Sequence, residues 1–316
     1  MKKDFNRREF VAGAAAAGAL LAVGCGNGNG KAPIPGAASS ALAAKPGGGP
    51  DLAVARGPDI VRNIGAAVDA VGGMAAFVQP GQTVGLLINV LGAIPASHTK
   101  PEVIRTVAAM CREAGAKEVS IIDWRYISRW EQNKLIEVTR EPGIGFKHID
   151  LENAALWREV EVPQGKVLKK TRMFEAMWEP DVFISLPLFK NHRGATFTGA
   201  LKLVMGTTHP NDNRQYFHGS RQLEQCIADA NTVVRAPDMI ITDAFEVLTT
   251  NGPVGPGASI KPEKVVVGFD RVAVDTYCAP ILGYDPAVSI QLKGAYEHGV
   301  GEMDLSKLTI REFDVA

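Results

Sequence analysis

Asp181 Val182 Phe183 Ile184 Ser185 Leu186 Pro187 Leu188 Phe189 Lys190 Asn191 His192 is the stretch on which the fold turns. Val182 to Leu186 is an apolar run of strand length, closed by a proline that has no N–H to give to a sheet ladder. Beyond Phe189 the chain becomes abruptly polar. Working outward in both directions, the same unit recurs: a short apolar run, a polar exit, then a segment of helical period. Strands are expected at Val84 to Ile88, Val119 to Ile122, Met239 to Thr242 and Val265 to Phe269 as well, with Leu308 to Val315 as a final edge strand. Helices are expected at Pro101 to Ala114, Phe197 to Met205, Leu223 to Val233, Val272 to Ile281 and 286–298, the first with Pro101 in its opening turn and Gly115 closing it. Strands apolar throughout are buried on both faces. The pattern therefore predicts an α/β fold over residues 51–316, a mostly parallel sheet with helices on both faces, as one large domain or two closely packed lobes.

The strand exits carry polar residues: Asn89, Asp123, Lys190 with His192, Asp243 and Asp270. Open α/β sheets place ligands outside the carboxyl ends of their strands, so five such exits can share one rim. Helix capping and turn formation explain any single Asp or Asn equally well. The joint pattern points to a ligand.

Pro187 to Gly206 is the densest candidate for chemistry. Lys190, His192 and Arg193 precede an expected helix start, where unpaired N–H groups and a partial positive charge favour an anion. On a helical projection Phe197, Ala200, Leu201, Val204 and Met205 share one arc, with Thr198 and Lys202 at its edge. A lysine there lays its stem on apolar surface and carries a head that desolvation turns into a base or nucleophile. The ligand set expected from these residues is Lys190, Arg193, Asn89, Thr198 and Asp243, with Lys202 and His192 as the catalytic pair. Ordinary snorkelling at a helix flank is the plain alternative for Lys202.

His98, His192, His209 and His218 stand in loop or rim positions, whereas His148 and His298 read as surface residues. Their spacing matches no short metal motif. A divalent metal would need a site assembled by the fold, from His192 with His209 or His218 and an aspartate such as Asp270. Asn251 to Gly257 is a turn-rich loop, either lid or connection. Asp275 is an acid inside an otherwise apolar helix, either a structural lock or a group that orients the rim.

Arg7 and Arg8 ahead of a short apolar stretch form a twin-arginine export signal, which implies the twin-arginine translocase as a transient partner and a periplasmic destination. Residues 11–24 are too few for a spanning helix. Leu21 to Cys25 approximates a lipobox with Cys25 as the acylated residue and membrane tether, and Ala41 Leu42 Ala43 is a competing cleavage site. Residues 26–50, rich in Gly, Pro, Ala and Ser, read as a flexible tether. The 34 basic and 34 acidic residues of the chain become 30 and 32 without residues 1–24, and no basic stripe with aromatics appears, which argues against nucleic acid. Cysteines at 25, 111, 226 and 278 make no CxxC pair, so neither a cysteine zinc site nor an iron–sulfur cluster is encoded. Buried thiols are expected at Cys111 and Cys278.

The chain resembles the domain-of-unknown-function family 362. The likeness runs through Ser97 His98 Thr99 Lys100 Pro101 Glu102 Val103, through Glu113 to Val119, and most specifically through Asp181 to His192 with Thr198 Gly199 Ala200 Leu201 Lys202 and Gly206. Pro237 Asp238, Asp243 Ala244, Asn251 Gly252 Pro253 and Asp270 to Asp275 continue it. Many relatives append a ferredoxin-like module, which this chain lacks, and Leu86 to Asn89 departs from a usual lysine before a Pro Asn pair. The resemblance carries little assigned biochemistry. A fainter likeness to nickel-pincer lactate racemases, around His98 to Glu102, is one of fold alone. The expectation is an exported enzyme for a small anionic organic molecule, with or without a metal. The alternative is a non-catalytic ligand- or metal-binding accessory to a separate periplasmic redox partner.

Overall fold

In the computed structural model residues 49–125 and 127–316 are described. The expected export signal, the expected lipobox at Cys25 and nearly all of the expected tether lie outside them. Eight strands form the central sheet: β1 Leu52–Arg56, β2 Thr83–Ile88, β3 Glu118–Asp123, β4 Gly145–His148, β5 Val182–Leu186, β6 Met239–Ala244, β7 Lys264–Gly268 and β8 Ile310–Asp314. Their order is β8-β1-β7-β6-β5-β2-β3-β4. Every neighbouring pair is parallel except the two that involve β7, which runs against both β1 and β6. The expected mostly parallel α/β sheet is the fold observed.

Side chains alternate between the two faces of a strand, and both sets are buried here. Ala53, Leu86, Ile184, Ile241 and Val267 join one core with the helices α1 Ile60–Ala70 and α2 Pro101–Glu113. Val54, Leu87, Phe183, Ile240 and Val266 on the opposite face are also 0–2% exposed. That second face is covered by α5 Arg271–Cys278, whose Val274 reaches Gly268 of β7. The helices α4 Leu223–Ala230 and α6 Ile290–Glu297 pack on each other beside it. Cys111, Cys226 and Cys278 are buried thiols. Among the described residues no helix is long and apolar enough to cross a membrane.

The segment expected as one helix from Phe197 to Met205 is three things. Thr196–Thr198 is a strand that pairs antiparallel with Lys190–His192. Gly199 then turns the chain into a short helix, α3 Ala200–Leu203, and a 3-10 turn comes next at Val204–Thr207. Thr196 and Thr198 are β-branched and Phe197 aromatic, so local preference favours the strand. The helical arc is coincidental up to Thr198. β1 and the hairpin Trp157–Glu161 with Lys170–Phe174 were not anticipated.

What fixes α3 is Asp275. Its carboxylate comes from α5 and accepts Ala200 N–H at 2.7 Å and Leu201 N–H at 2.9 Å. The Leu201 carbonyl accepts from Asn231 Nδ2 at 2.9 Å, and Asn231 Oδ1 in turn accepts from Arg271 of α5 at 2.7 Å. So the turn that carries Lys202 is held at its N–H groups and at a carbonyl. Of the two roles open for Asp275, the lock is the one found. Gly199 is what lets the carboxylate in: a Cβ there would overlap Asp275 Oδ1 and stand 2.7 Å from Cγ. Its φ of −155° suits any residue, so the constraint is steric. Gly199→Ala is expected to cost about 1–3 kcal/mol, the usual penalty for overpacking, read as a lowered denaturant midpoint.

Candidate functional site

A cleft of about 380 Å³ opens at the carboxyl ends of β5, β2 and β3, which are adjacent in the sheet. Asn89 comes after β2, Trp124 and Arg125 after β3, and His192 and Thr198 from the hairpin after β5. Lys202 enters from α3, and Arg214 and His218 from the far wall. Of the residues expected at the site, Asn89, His192, Thr198, Lys202 and His218 are brought together here.

The hairpin explains which side chains face the cleft. Lys190 pairs with Thr198 and His192 with Thr196 across the two strands, so Lys190, His192 and Thr198 share a face. Asn191 faces the other way, bonded to Tyr284 Oη at 3.1 Å and to Gly252 N–H at 3.1 Å. Arg193 sits in the turn between the strands and is exposed, outside the cleft lining. Its expected role in holding an anion is therefore not supported. The helix N-terminus that was to help it is already occupied, because Asp275 is the anion there.

Lys202 is partly buried and has neither a hydrogen bond nor an ion pair among the described residues. Burial, then the charge of Arg125, lowers its pKa to about 8. Lys190 is fully buried behind the cleft and donates to the Ser97 carbonyl. Burial, then Lys202, then Arg125 push it well below the ordinary lysine value. It is not a lining residue, which corrects its expected place in direct contact with ligand.

Arg125 was not among the residues expected from sequence. Asp123, the last residue of β3, pairs with its guanidinium, accepts its backbone N–H at 3.1 Å, and accepts Trp130 Nε1 at 3.0 Å. Trp124 Nε1 donates to the Gly206 carbonyl at 2.7 Å, and the guanidinium lies so close that a Cβ on Gly206 would stand 3.1 Å from it. The end of β3 is thus stitched to the turn after Lys202. The signal lay at the strand exit, in the cation two residues beyond the acid that drew attention there.

His192 accepts Gly194 N–H on Nδ1 at 3.0 Å, which leaves the neutral ring its proton on Nε2. Burial first, then Lys202 and Lys190, lower its pKa to about 3. It is a neutral hydrogen-bond donor to the cleft. A metal on Nε2 would require a proton on Nδ1, where the Gly194 N–H already points. The other expected ligands fare no better. His209 caps the turn at Pro210, its Nδ1 accepting Asn211 N–H at 3.2 Å, and stacks edge-on against Trp157. Asp270 caps α5, accepting Val272 N–H at 2.7 Å and Ala273 N–H at 3.1 Å on Oδ1 and Glu302 N–H at 2.7 Å on Oδ2. Because β7 runs antiparallel, its carboxyl end is opposite the rim, with Gly268 paired to Ile240 at the start of β6. Only His218 of that set joins His192 at the cleft. Among the described residues no group of three His, Cys, Asp or Glu could hold a metal ion.

Asp243 is also corrected. It is buried, paired with Lys100, and accepts Phe245 N–H at 3.0 Å, so it closes the end of β6 instead of meeting a ligand. Thr99 does similar work, accepting Asn89 N–H at 2.9 Å and donating to the Leu186 carbonyl at 2.8 Å. That clamp holds Asn89 at the rim, where its amide has no hydrogen-bond partner among the described residues. Thr198 is 3% exposed and its hydroxyl has no partner either. His298, expected at the surface, bonds Asp229 at 2.9 Å with a side chain 7% exposed.

The balance of charge is one-sided. Lys202, Arg125 and Arg214 line the cleft, Lys190 stands behind it, and no carboxylate is among the lining residues. Asp123, from behind Arg125, offsets part of this. Met205, Leu203, Leu91 and Pro253 add apolar wall.

Three known proteins bear a distant similarity to the chain. It is 26% identical over 243 residues to the thylakoid-associated protein sll1697 of Synechocystis sp., spanning 70% of this chain and 69% of that protein. Among solved structures, a Thermotoga maritima protein superposes with a TM-score of 0.40 at 16% identity, over 63% of this chain and 53% of that one. The lactate racemase apoprotein of Thermoanaerobacterium thermosaccharolyticum gives 0.42 at 12%, over 66% and 54%. The chain spans about half the length of both solved structures. Residues 84–280, well over half of the sequence and containing β2 through α5, match the family described as Domain of unknown function (DUF362), and the chain belongs to that family.

Proposed function

We propose that the cleft binds a small organic anion, a carboxylate or phosphate, and that the protein is an enzyme acting on it with Lys202 as the reactive amine. The observation that carries this reading is the cleft lining itself: three cations, two imidazoles, two polar side chains without partners and no carboxylate. Of the three cations Lys202 has no partner among the described residues, and a cation left so at a concave site is destabilising unless an anion completes it. Arg125 is the anion clamp, its fork held by Asp123. His192 Nε2, Thr198 and Asn89 supply hydrogen bonds around it. The export signal read at residues 1–25 would place this chemistry in the periplasm.

Calorimetric titration with a panel of small carboxylates and phosphates tests the reading. Binding that weakens with salt and is lost in Arg125→Gln is the expected result. Failure of every anion to bind would sink it.

The sign of the pH dependence is set by Lys202. Its amine, lowered to about 8, is an ammonium below that pH and supports anion binding there. Affinity is expected to be flat below pH 8 and to fall above it by up to about tenfold per unit. His192, at about 3, adds no step near neutrality. A profile that drops between about pH 6 and 7 would instead implicate an imidazole.

A further inference from the structure

We propose that Lys202 is a nucleophile that forms an imine with the carbonyl carbon of a small oxo acid whose carboxylate is held at Arg125. The inference rests on the anion-binding reading above and narrows the ligand to carbonyl-bearing carboxylates.

Four features of the site lead there. Lys202 has no partner among the described residues, so no carboxylate keeps it protonated and no acceptor occupies it. Its cationic neighbour on the cleft wall, Arg125, adds to burial in disfavouring an ammonium at Lys202. The turn that carries it is clamped by Asp275 and Asn231, which limits the motion an attacking amine would have to lose. Finally, the neutral His192 in the cleft lining, with its proton on Nε2, is available to hydrogen-bond a carbonyl oxygen. The lowered pKa of about 8 agrees with this, since it leaves a usable fraction of neutral amine near neutrality.

The step balances without a further reagent. The amine lone pair attacks the carbonyl carbon, the C–N bond forms, and the carbonyl electron pair moves to oxygen, which takes up a proton. The nitrogen gives up one proton as the carbinolamine forms and its second as the imine forms; the hydroxyl takes up a second proton, the C–O bond breaks, and water leaves. Amine and carbonyl become imine and water, with no change of oxidation state.

Reductive trapping tests it on the full-length protein. Pyruvate is added with sodium cyanoborohydride near neutral pH, and labelled peptides are quantified by mass spectrometry. Propionate, a carboxylate without a reactive carbonyl, and acetone, a carbonyl without a carboxylate, are the companion arms. Lys202 is expected to be labelled by pyruvate at least about tenfold faster than surface lysines, with propionate competing and acetone slow. Lys202→Met should remove that adduct, and Arg125→Gln, which keeps the amine, should slow it. If pyruvate or propionate binds by calorimetry and Lys202 labels no faster than surface lysines, the imine step is wrong while the anion reading stands. If neither binds and no labelling preference appears, the imine proposal falls, and the wider anion panel then decides the reading beneath it.

Discussion

Lys202→Met is expected to weaken binding of a small carboxylate by about 10–100-fold while leaving the protein as stable as before or more so. Methionine keeps the length and apolar stem of the lysine, so contacts along the wall formed with Leu203 and Met205 survive. What disappears is an ammonium that the fold partly buries without a partner, beside Arg125 and Lys190. Such a group is a burden in the absence of ligand, and removing it returns roughly 1 kcal/mol, which for a chain of this size raises Tm by a few degrees. Structural and functional roles thus move the two readouts in opposite directions. A lysine that merely lies along the surface would change neither, and one that supports the fold would lower Tm. Calorimetric Kd and thermal melts on the same two samples settle the point.

Asp275→Ala should do the reverse, lowering stability by about 2–4 kcal/mol and reducing ligand affinity only as a consequence of a disordered α3. The substitution strands two buried N–H groups, on Ala200 and Leu201, at roughly 1–3 kcal/mol each. It recovers part of that by no longer burying a carboxyl, which burial pushes up to about 7 against the pull of those same N–H groups. Arg271 also loses one of its two neighbouring acids and retains Asp270. Asp275→Asn keeps one acceptor and sets its amide NH₂ against the second N–H, so it should fall between wild type and alanine. A denaturant midpoint unchanged in Asp275→Ala would mean that Asp275 does not fix α3. Pairing this variant with Gly199→Ala in a double-mutant cycle should show strong coupling, because alanine at 275 removes the atoms that a Cβ at 199 would strike.

The strands and the rim are legible in the sequence because their signals are local. Val182 to Leu186 has the observed limits of β5, and Leu308 to Val315 contains the edge strand β8. Asn89, His192, Thr198 and Lys202 reach the cleft as the strand-exit argument and the Pro187 to Gly206 segment imply. The aspartates fail for a common reason. An Asp at a strand end is recognised by its side chain's need for donors, and Asp123, Asp243 and Asp270 each satisfy that need within the protein, through Arg125, Lys100 and the cap of α5. Asp270 fails for a second reason as well, since apolar runs look alike in either strand direction and nothing local marks β7 as reversed.

From its residues alone, then, this chain specified an α/β sheet buried on both faces, a polar rim at the strand exits, a cation-rich segment leading into Lys202, and membership in a recognisable family. These depend on periodicity and on the chemistry of neighbours in sequence. Only the tertiary structure decided which cations lack partners. Asp275 lies 73 residues from Lys202 in the chain, yet it claims the helix start that a free anion would have taken, and the Lys190–His192 hairpin turns Arg193 out and Lys190 in. Whether a charge is satisfied by the protein or left for a ligand depends on contacts between distant segments, and those exist only once the chain has folded.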